Sequence, residues 1–208
     1  MVPVYLRMII TALLSLISVL MFCVYKTEVR KNVMLAMLLS SVGDVFMVNS
    51  ASIGAFSTYI GAAVFIAAHI VYGEGFRKQI KAVGEKPYNK MLYAGVVVMV
   101  VSAVVLGVLA FTVADEKKPI MFVLILFYIA AIGYNVCMNF SYAKVAGGTA
   151  CILPFAILAF YLTDIFIFED MLNIDHSMRR FVWLIYPEAQ LLLILFNSSL
   201  KHTTDKKQ

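Results

Sequence analysis

From Met91 to Val113 the chain runs without one charged residue. A helix in a water-soluble domain keeps a charged or polar face outward, and this run has none to offer. A membrane-spanning helix needs about 20 mainly apolar residues, which the run supplies. The rest of the chain repeats the pattern: of 208 residues, 62% are hydrophobic and 14% charged, where soluble domains carry roughly 45–50% and about 25%. Mean hydropathy is +0.91. The longest polar candidate for a separate module, Arg77 to Lys90, has 14 residues. The expected fold is therefore all-α: one integral membrane domain over 1–208, a polytopic bundle over 1–200 and a polar tail over 201–208.

Apolar runs place seven spans near 3–25, 33–49, 54–76, 90–113, 119–141, 148–168 and 181–200. The first is too long for a signal peptide and lacks a small-residue cleavage site, so it is read as a retained helix. Short connections make neighbouring helices antiparallel. Lys and Arg then divide unevenly: Arg7, Lys117, Lys118, Arg179 and Arg180 fall on the N-terminal side, and the other twelve of 17 on the opposite side. The positive-inside bias puts the larger group in the cytosol, with the N-terminus lumenal or exterior and the C-terminus cytosolic.

Several classes are excluded. Cys23, Cys137 and Cys151 are odd in number and scattered through apolar runs, against a disulfide framework or zinc site. The pI of about 9.1 comes from loop residues and marks orientation, not a nucleic-acid surface. No GxSxG elbow, HExxH helix or phosphate-binding glycine loop occurs. Asn139-Phe-Ser141 and Asn197-Ser-Ser199 fall in the membrane or on the cytosolic side, where no glycan is added.

With Glu74 set aside at the cytosolic edge of the third span, three acids remain inside spans. An ionisable group at membrane depth costs at least ~2.5–3.5 kcal/mol on insertion scales and marks function by default. Asp44 lies well inside the second span and Asp164 late in the sixth; both spans run the same way, which puts both carboxyls in the lumenal half. Glu188 follows Pro187 near the start of the last span and is the weaker candidate. His69 and Tyr72 stand at i, i+3 on one helix face, and Tyr186 and Gln190 at i, i+4. Glu188 projects about 200° away from Tyr186. Asn135 and Asn139 repeat the i, i+4 spacing and read as interhelical glue.

Four segments in order, SSVGDVFM (40–47), GAAVFIAAHIVY (61–72), ILAFYLTDIFI (157–167) and YPEAQLLL (186–193), resemble the lysoplasmalogenase-like, or YhhN-like, family of membrane proteins. That family shows a GD helix, a G-x-x-x-F-x-x-x-H-x-x-Y helix, a G-A-x-x-F-x-x-S-D helix and a Y-x-x-A-Q helix. The resemblance implies a hydrolase that cleaves the vinyl ether of lysoplasmalogens to a fatty aldehyde and glycerophosphoethanolamine or glycerophosphocholine. Asp44 matches the GD acid, His69 and Tyr72 the H-x-x-Y pair, Asp164 the S-D acid, and Tyr186 and Gln190 the last helix. Thr163 replaces the serine, Ala156 the glycine of the G-A pair, and Glu188 is atypical. The family pattern has eight helices with Lys-Pro opening the second; this chain starts at that helix, with Arg7-Met8 in place of Lys-Pro. The implied partners are the bilayer and a lysophospholipid, without nucleic acid, metal or other cofactor. For a eukaryotic source the resemblance implies the endoplasmic reticulum membrane.

The residues fit that reaction in their own right. Protonation of the vinyl carbon beta to the ether oxygen gives an oxocarbenium cation; water adds, and the hemiacetal collapses. Such chemistry needs a neutral carboxylic acid, which apolar burial and a second carboxyl favour, and an anion to stabilise the cation, as in glycosidases. Asp44 is preferred as the acid by a narrow margin over Asp164, the other stabilising the cation. His69, Tyr72 and Gln190 would position water or the ether oxygen, and Arg7 would meet the phosphate. The competing reading is a proton-coupled transporter or channel using the buried acids, although no internal repeat is evident. A seven-helix receptor is a third reading, disfavoured by the short loops and the lack of DRY-like and NPxxY-like sequences.

Overall fold

The computed structural model describes residues 3–54, 56–112, 119–171 and 179–197. Among these the chain forms eight α-helices: α1 (Val4–Tyr25), α2 (Glu28–Val48), the single turn α3 (Ser50–Ile53), α4 (Phe56–Ala82), α5 (Asn89–Thr112), α6 (Pro119–Ala146), α7 (Leu153–Met171) and α8 (Arg179–Leu195). A 3-10 turn, Gly148–Ile152, precedes α7. Seven helices are long, as the apolar runs predict. Five segments are long and apolar enough to cross a membrane, and Gly95–Val105 in α5 and Phe181–Leu195 in α8 are shorter apolar stretches. Helix is the form that satisfies every backbone group within a single segment, which hydrocarbon demands.

Several boundaries differ from the apolar runs. α4 continues to Ala82, so Arg77, Lys78 and Lys81 lie on helix rather than in a connection. Arg77 forks onto Glu74 at i, i+3, and the Tyr134 hydroxyl also bonds Glu74; paired charges let the helix carry on past the apolar stretch. α2 starts at Glu28, where the Thr27 side chain accepts from Arg30 N. α8 ends at Leu195, and the polar tail over 201–208 lies outside the described residues.

The core is built around α2, α4, α6 and α8, with α7 closing against α6 and α8. Of the spanning window of α6, 61% is buried against 17% for α1, which makes α6 central and α1 peripheral. Ile9, Leu13, Leu16 and Leu20 on α1 and Val97, Val100, Val101 and Val104 on α5 are exposed, the surface a lipid solvent requires. Side-chain contacts fix the helix directions. Asp44 meets Tyr186 while Arg30 reaches Ile194 O, so α2 and α8 are antiparallel. His69 meets Asn135 while Phe76 packs on Tyr142, so α4 and α6 run parallel.

Glycine sets the closest approaches. A Cβ on Gly43 would come within 2.8 Å of the Phe65 ring, and one on Gly61 within 3.2 Å of Gly43 O. The glycines of the first two motifs thus bring α2 and α4 together beside Asp44. On the far side, a Cβ on Gly95 would lie 2.7 Å from Gly133 O, which seats α5 on α6.

Candidate active site

Asp44 on α2 and Asp164 on α7 are both buried, at 5% and 2% exposure, and are close enough to interact electrostatically. Asp44 Oδ2 accepts from two hydroxyls, Thr11 Oγ1 at 3.0 Å and Tyr186 OH at 2.9 Å. Its oxygen is therefore held from α1 and α8 at once. Asp164 is placed differently. His69 Nε2 lies 3.4 Å from its Oδ2, Tyr128 is also in reach of its carboxyl, and Oδ2 itself lacks a well-aligned hydrogen bond.

His69 is fully buried. Asn135 Nδ2 approaches its Nδ1 at 3.1 Å, and Tyr128 OH its Nε2 at 3.3 Å. With the amide donating to Nδ1, Nε2 carries the proton and faces Tyr128 and Asp164. Its ring lies 4.8 Å from Phe160 and 5.3 Å from Tyr128. Phe160 in turn meets Tyr186 edge-on at 5.4 Å, and Tyr186 meets Trp183 at 5.8 Å. This aromatic wall links the surroundings of the two acids.

The remaining expected residues divide into two groups. Tyr72 donates to Gln190 Oε1 at 2.7 Å, one turn along α8 from Tyr186. Arg7 is buried, with its guanidinium 5.4 Å from the Trp183 ring centre, one turn along α1 from Thr11. Thr163 turns its hydroxyl back onto Phe160 O, so it does not extend the site. Glu188 is exposed and is the tenth of the 17 residues of α8, not near the start of that helix; its side chain leaves the site, as its angle to Tyr186 predicts.

Three residues that touch the expected ones were not themselves among the expected site residues: Asn135, Tyr128 and Thr11. Asn135 on α6 bonds the His69 ring on α4, an interhelical contact of the kind its spacing predicts, here made at the site. Tyr128 and Thr11 carried no signal beyond their residue types, although Thr11 stands four residues after Arg7 on one face of α1. Among the described residues no group of three His, Cys, Asp or Glu side chains gathers to hold a metal ion.

Fold and site together define an all-helical membrane protein whose core carries two buried carboxyls, each with its own set of donors. The chain belongs to the YhhN family, whose model matches residues 4–197, nearly the whole length. No curated protein and no solved structure matches it.

Proposed function

We propose that the protein is a membrane-embedded lysoplasmalogenase, cleaving the vinyl ether bond of lysoplasmenylethanolamine or lysoplasmenylcholine. The observation that carries this reading is the pair of buried carboxyls set in one aromatic-lined polar layer. The YhhN family includes lysoplasmalogenases, which supports it.

The hydrogen bonds favour a split of roles opposite to the sequence preference. Asp44 Oδ2, accepting two hydroxyls, is already committed as an acceptor; it serves as the anion beside the oxocarbenium cation. Asp164, whose Oδ2 makes no well-aligned hydrogen bond and has His69 at 3.4 Å, serves as the acid. Asp164 gives its proton to the vinyl carbon beta to the oxygen. Water then bonds to the cationic carbon, and the proton it sheds returns to the Asp164–His69 pair. Breaking the hemiacetal C–O bond yields the aldehyde and the glycerol hydroxyl. Arg7 lies ~6 Å along α1 from Thr11, at 1.5 Å per residue, a spacing suited to a headgroup phosphate beside the reacting ether.

Purified protein is expected to release fatty aldehyde from a lysoplasmalogen and none from the saturated ether analogue. Proton flux into liposomes without aldehyde release would instead favour the transporter reading. The Arg7 end of the bundle is assigned to the lumen and the C-terminus to the cytosol, in the endoplasmic reticulum membrane of a eukaryotic source. A protease-sensitive C-terminal tag should accordingly be cut in sealed microsomes; a tag protected until detergent is added would reverse the orientation.

A further inference from the structure

Asp44 is the end of a line of polar side chains that crosses the bundle from α4 through α8 to α2. Tyr72 OH donates to Gln190 Oε1 at 2.7 Å, and Tyr186 OH donates to Asp44 Oδ2 at 2.9 Å. Gln190 and Tyr186 stand one turn apart on one face of α8. Gln190 is also within hydrogen-bond reach of Tyr186, although its Nε2 makes no well-aligned bond. Tyr72 and Gln190 are completely buried, and Tyr186 and Asp44 are 2% and 5% exposed. The four therefore depend on one another rather than on bulk solvent.

The direction of the line follows from counting protons. Tyr186 has one hydroxyl proton and gives it to Asp44, so its oxygen can only accept from Gln190. The Gln190 amide then turns Nε2 towards Tyr186 and Oε1 towards Tyr72, the orientation in which Tyr72 donates. Met37 Sδ, at 4.0 Å from the Tyr72 hydroxyl, is a far weaker acceptor than an amide oxygen at 2.7 Å. Every bond points the same way, from Tyr72 to Asp44. Such a line suits a negative charge at its end. Hydrogen bonds to an ionised acceptor are the strong ones, and each bond in a chain strengthens the next by about 10–30%.

We propose that Tyr72 and Gln190 are positioning residues that act through Tyr186 to hold Asp44 as the anion of the carboxyl pair. Their role in turnover rests on the hydrolase reading; the hydrogen-bonded line does not. This role differs from the one expected of them in the sequence, where both residues touch water or the ether oxygen. Thr11 remains a second donor to Asp44 Oδ2, independent of the line. An amide in its ordinary tautomer passes no proton, so the line polarises Asp44 without conducting protons to it.

Double-mutant kinetics on the full chain in nanodiscs test this. Tyr72→Phe keeps the ring and removes the first donor. The kcat for aldehyde release from lysoplasmalogen should fall about two- to tenfold, the weight of one hydrogen bond, with KM unchanged. Gln190→Met, similar in length and without an amide, should do at least as much. In a Tyr186→Phe background either change should cost less than about twofold, because the line is already cut. An equal fall in both backgrounds overturns the proposal. So does a rise in KM with kcat unchanged, the mark of a direct substrate contact. Infrared spectroscopy reads the line without turnover. The carboxylate band that Asp44→Asn removes should shift in Tyr72→Phe; an unshifted band, or the band of a protonated carboxyl in its place, overturns the proposal. A shifted band in protein that releases no aldehyde keeps the line and overturns the hydrolase reading. Aldehyde release with band and kcat both unmoved by Tyr72→Phe overturns the line and keeps the hydrolase.

Discussion

Asp164→Asn is expected to lower aldehyde release by about 10²–10⁴-fold, the range a positioned general acid contributes. An amide keeps the shape of the side chain but cannot deliver the proton to the vinyl carbon. Asp44→Asn should be comparably damaging for a different reason, because it removes the negative charge facing the cation while leaving the Asp164–His69 pair intact. Tyr186→Phe separates the two roles. It deletes one of the two hydroxyls on Asp44 Oδ2 and leaves Thr11 in place, so the loss should be partial, about 1.5–3 kcal/mol for a hydrogen bond to a charged group. Aldehyde release measured on protein of unchanged melting temperature is the readout. Wild-type turnover in both Asp variants would end the two-carboxyl mechanism. Loss in Asp44→Asn alone would return the acid role to Asp44, the sequence preference.

Gly43→Ala is expected to disable the site without touching any reacting group. Its new Cβ would stand 2.8 Å from Cδ2 and Cε2 of Phe65, and a buried aromatic ring between packed helices has little room to swing away. Overpacking of this kind costs about 1–3 kcal/mol. The displacement has a direct path to the chemistry. Phe65 packs on the Tyr128 ring at 6.5 Å, and Tyr128 flanks both His69 and Asp164. Misplacing reacting groups by about 1 Å can cost 10²-fold in rate. Activity should therefore fall by roughly that factor, with a lowered melting temperature and normal membrane insertion. A Phe65→Leu change in the same chain should restore part of the activity by making room. Gly43→Ala protein with wild-type stability and turnover would show that α2 and α4 do not need this contact.

The glycine also shows how far a sequence reaches. Gly43-Asp44 was legible as a motif, but its spacing says nothing about why glycine precedes the acid. Only the packing of α2 on α4 explains it: Phe65 occupies the space a side chain would take, and Gly61 lets α4 approach the same turn. Asn135 and Asn139 present the same difficulty. Their i, i+4 repeat predicted a shared face, and identical spacing gave no means of telling them apart. In the structure one bonds the His69 ring and the other, a turn further along α6, has amide atoms without a hydrogen-bond partner. Tyr128 and Thr11 were hidden for a simpler reason: a tyrosine or threonine in an apolar run is common, and its importance depends on a partner from another helix.

The sequence by itself determined that the chain is a helical membrane protein with seven long helices, and that Asp44, His69, Tyr72, Asp164, Tyr186 and Gln190 are among the polar residues it buries. Those follow from local energetics, since hydrocarbon penalises each unsatisfied backbone group and each buried charge where it stands. Only the tertiary structure decided which polar groups meet. Asp44 took Tyr186 and Thr11, Asp164 took His69 and Tyr128, and Tyr72 took Gln190 rather than an acid. A hydrogen bond between helices depends on rotation and depth to within an ångström, and those are set by glycine contacts and ring packing from segments far apart in the chain.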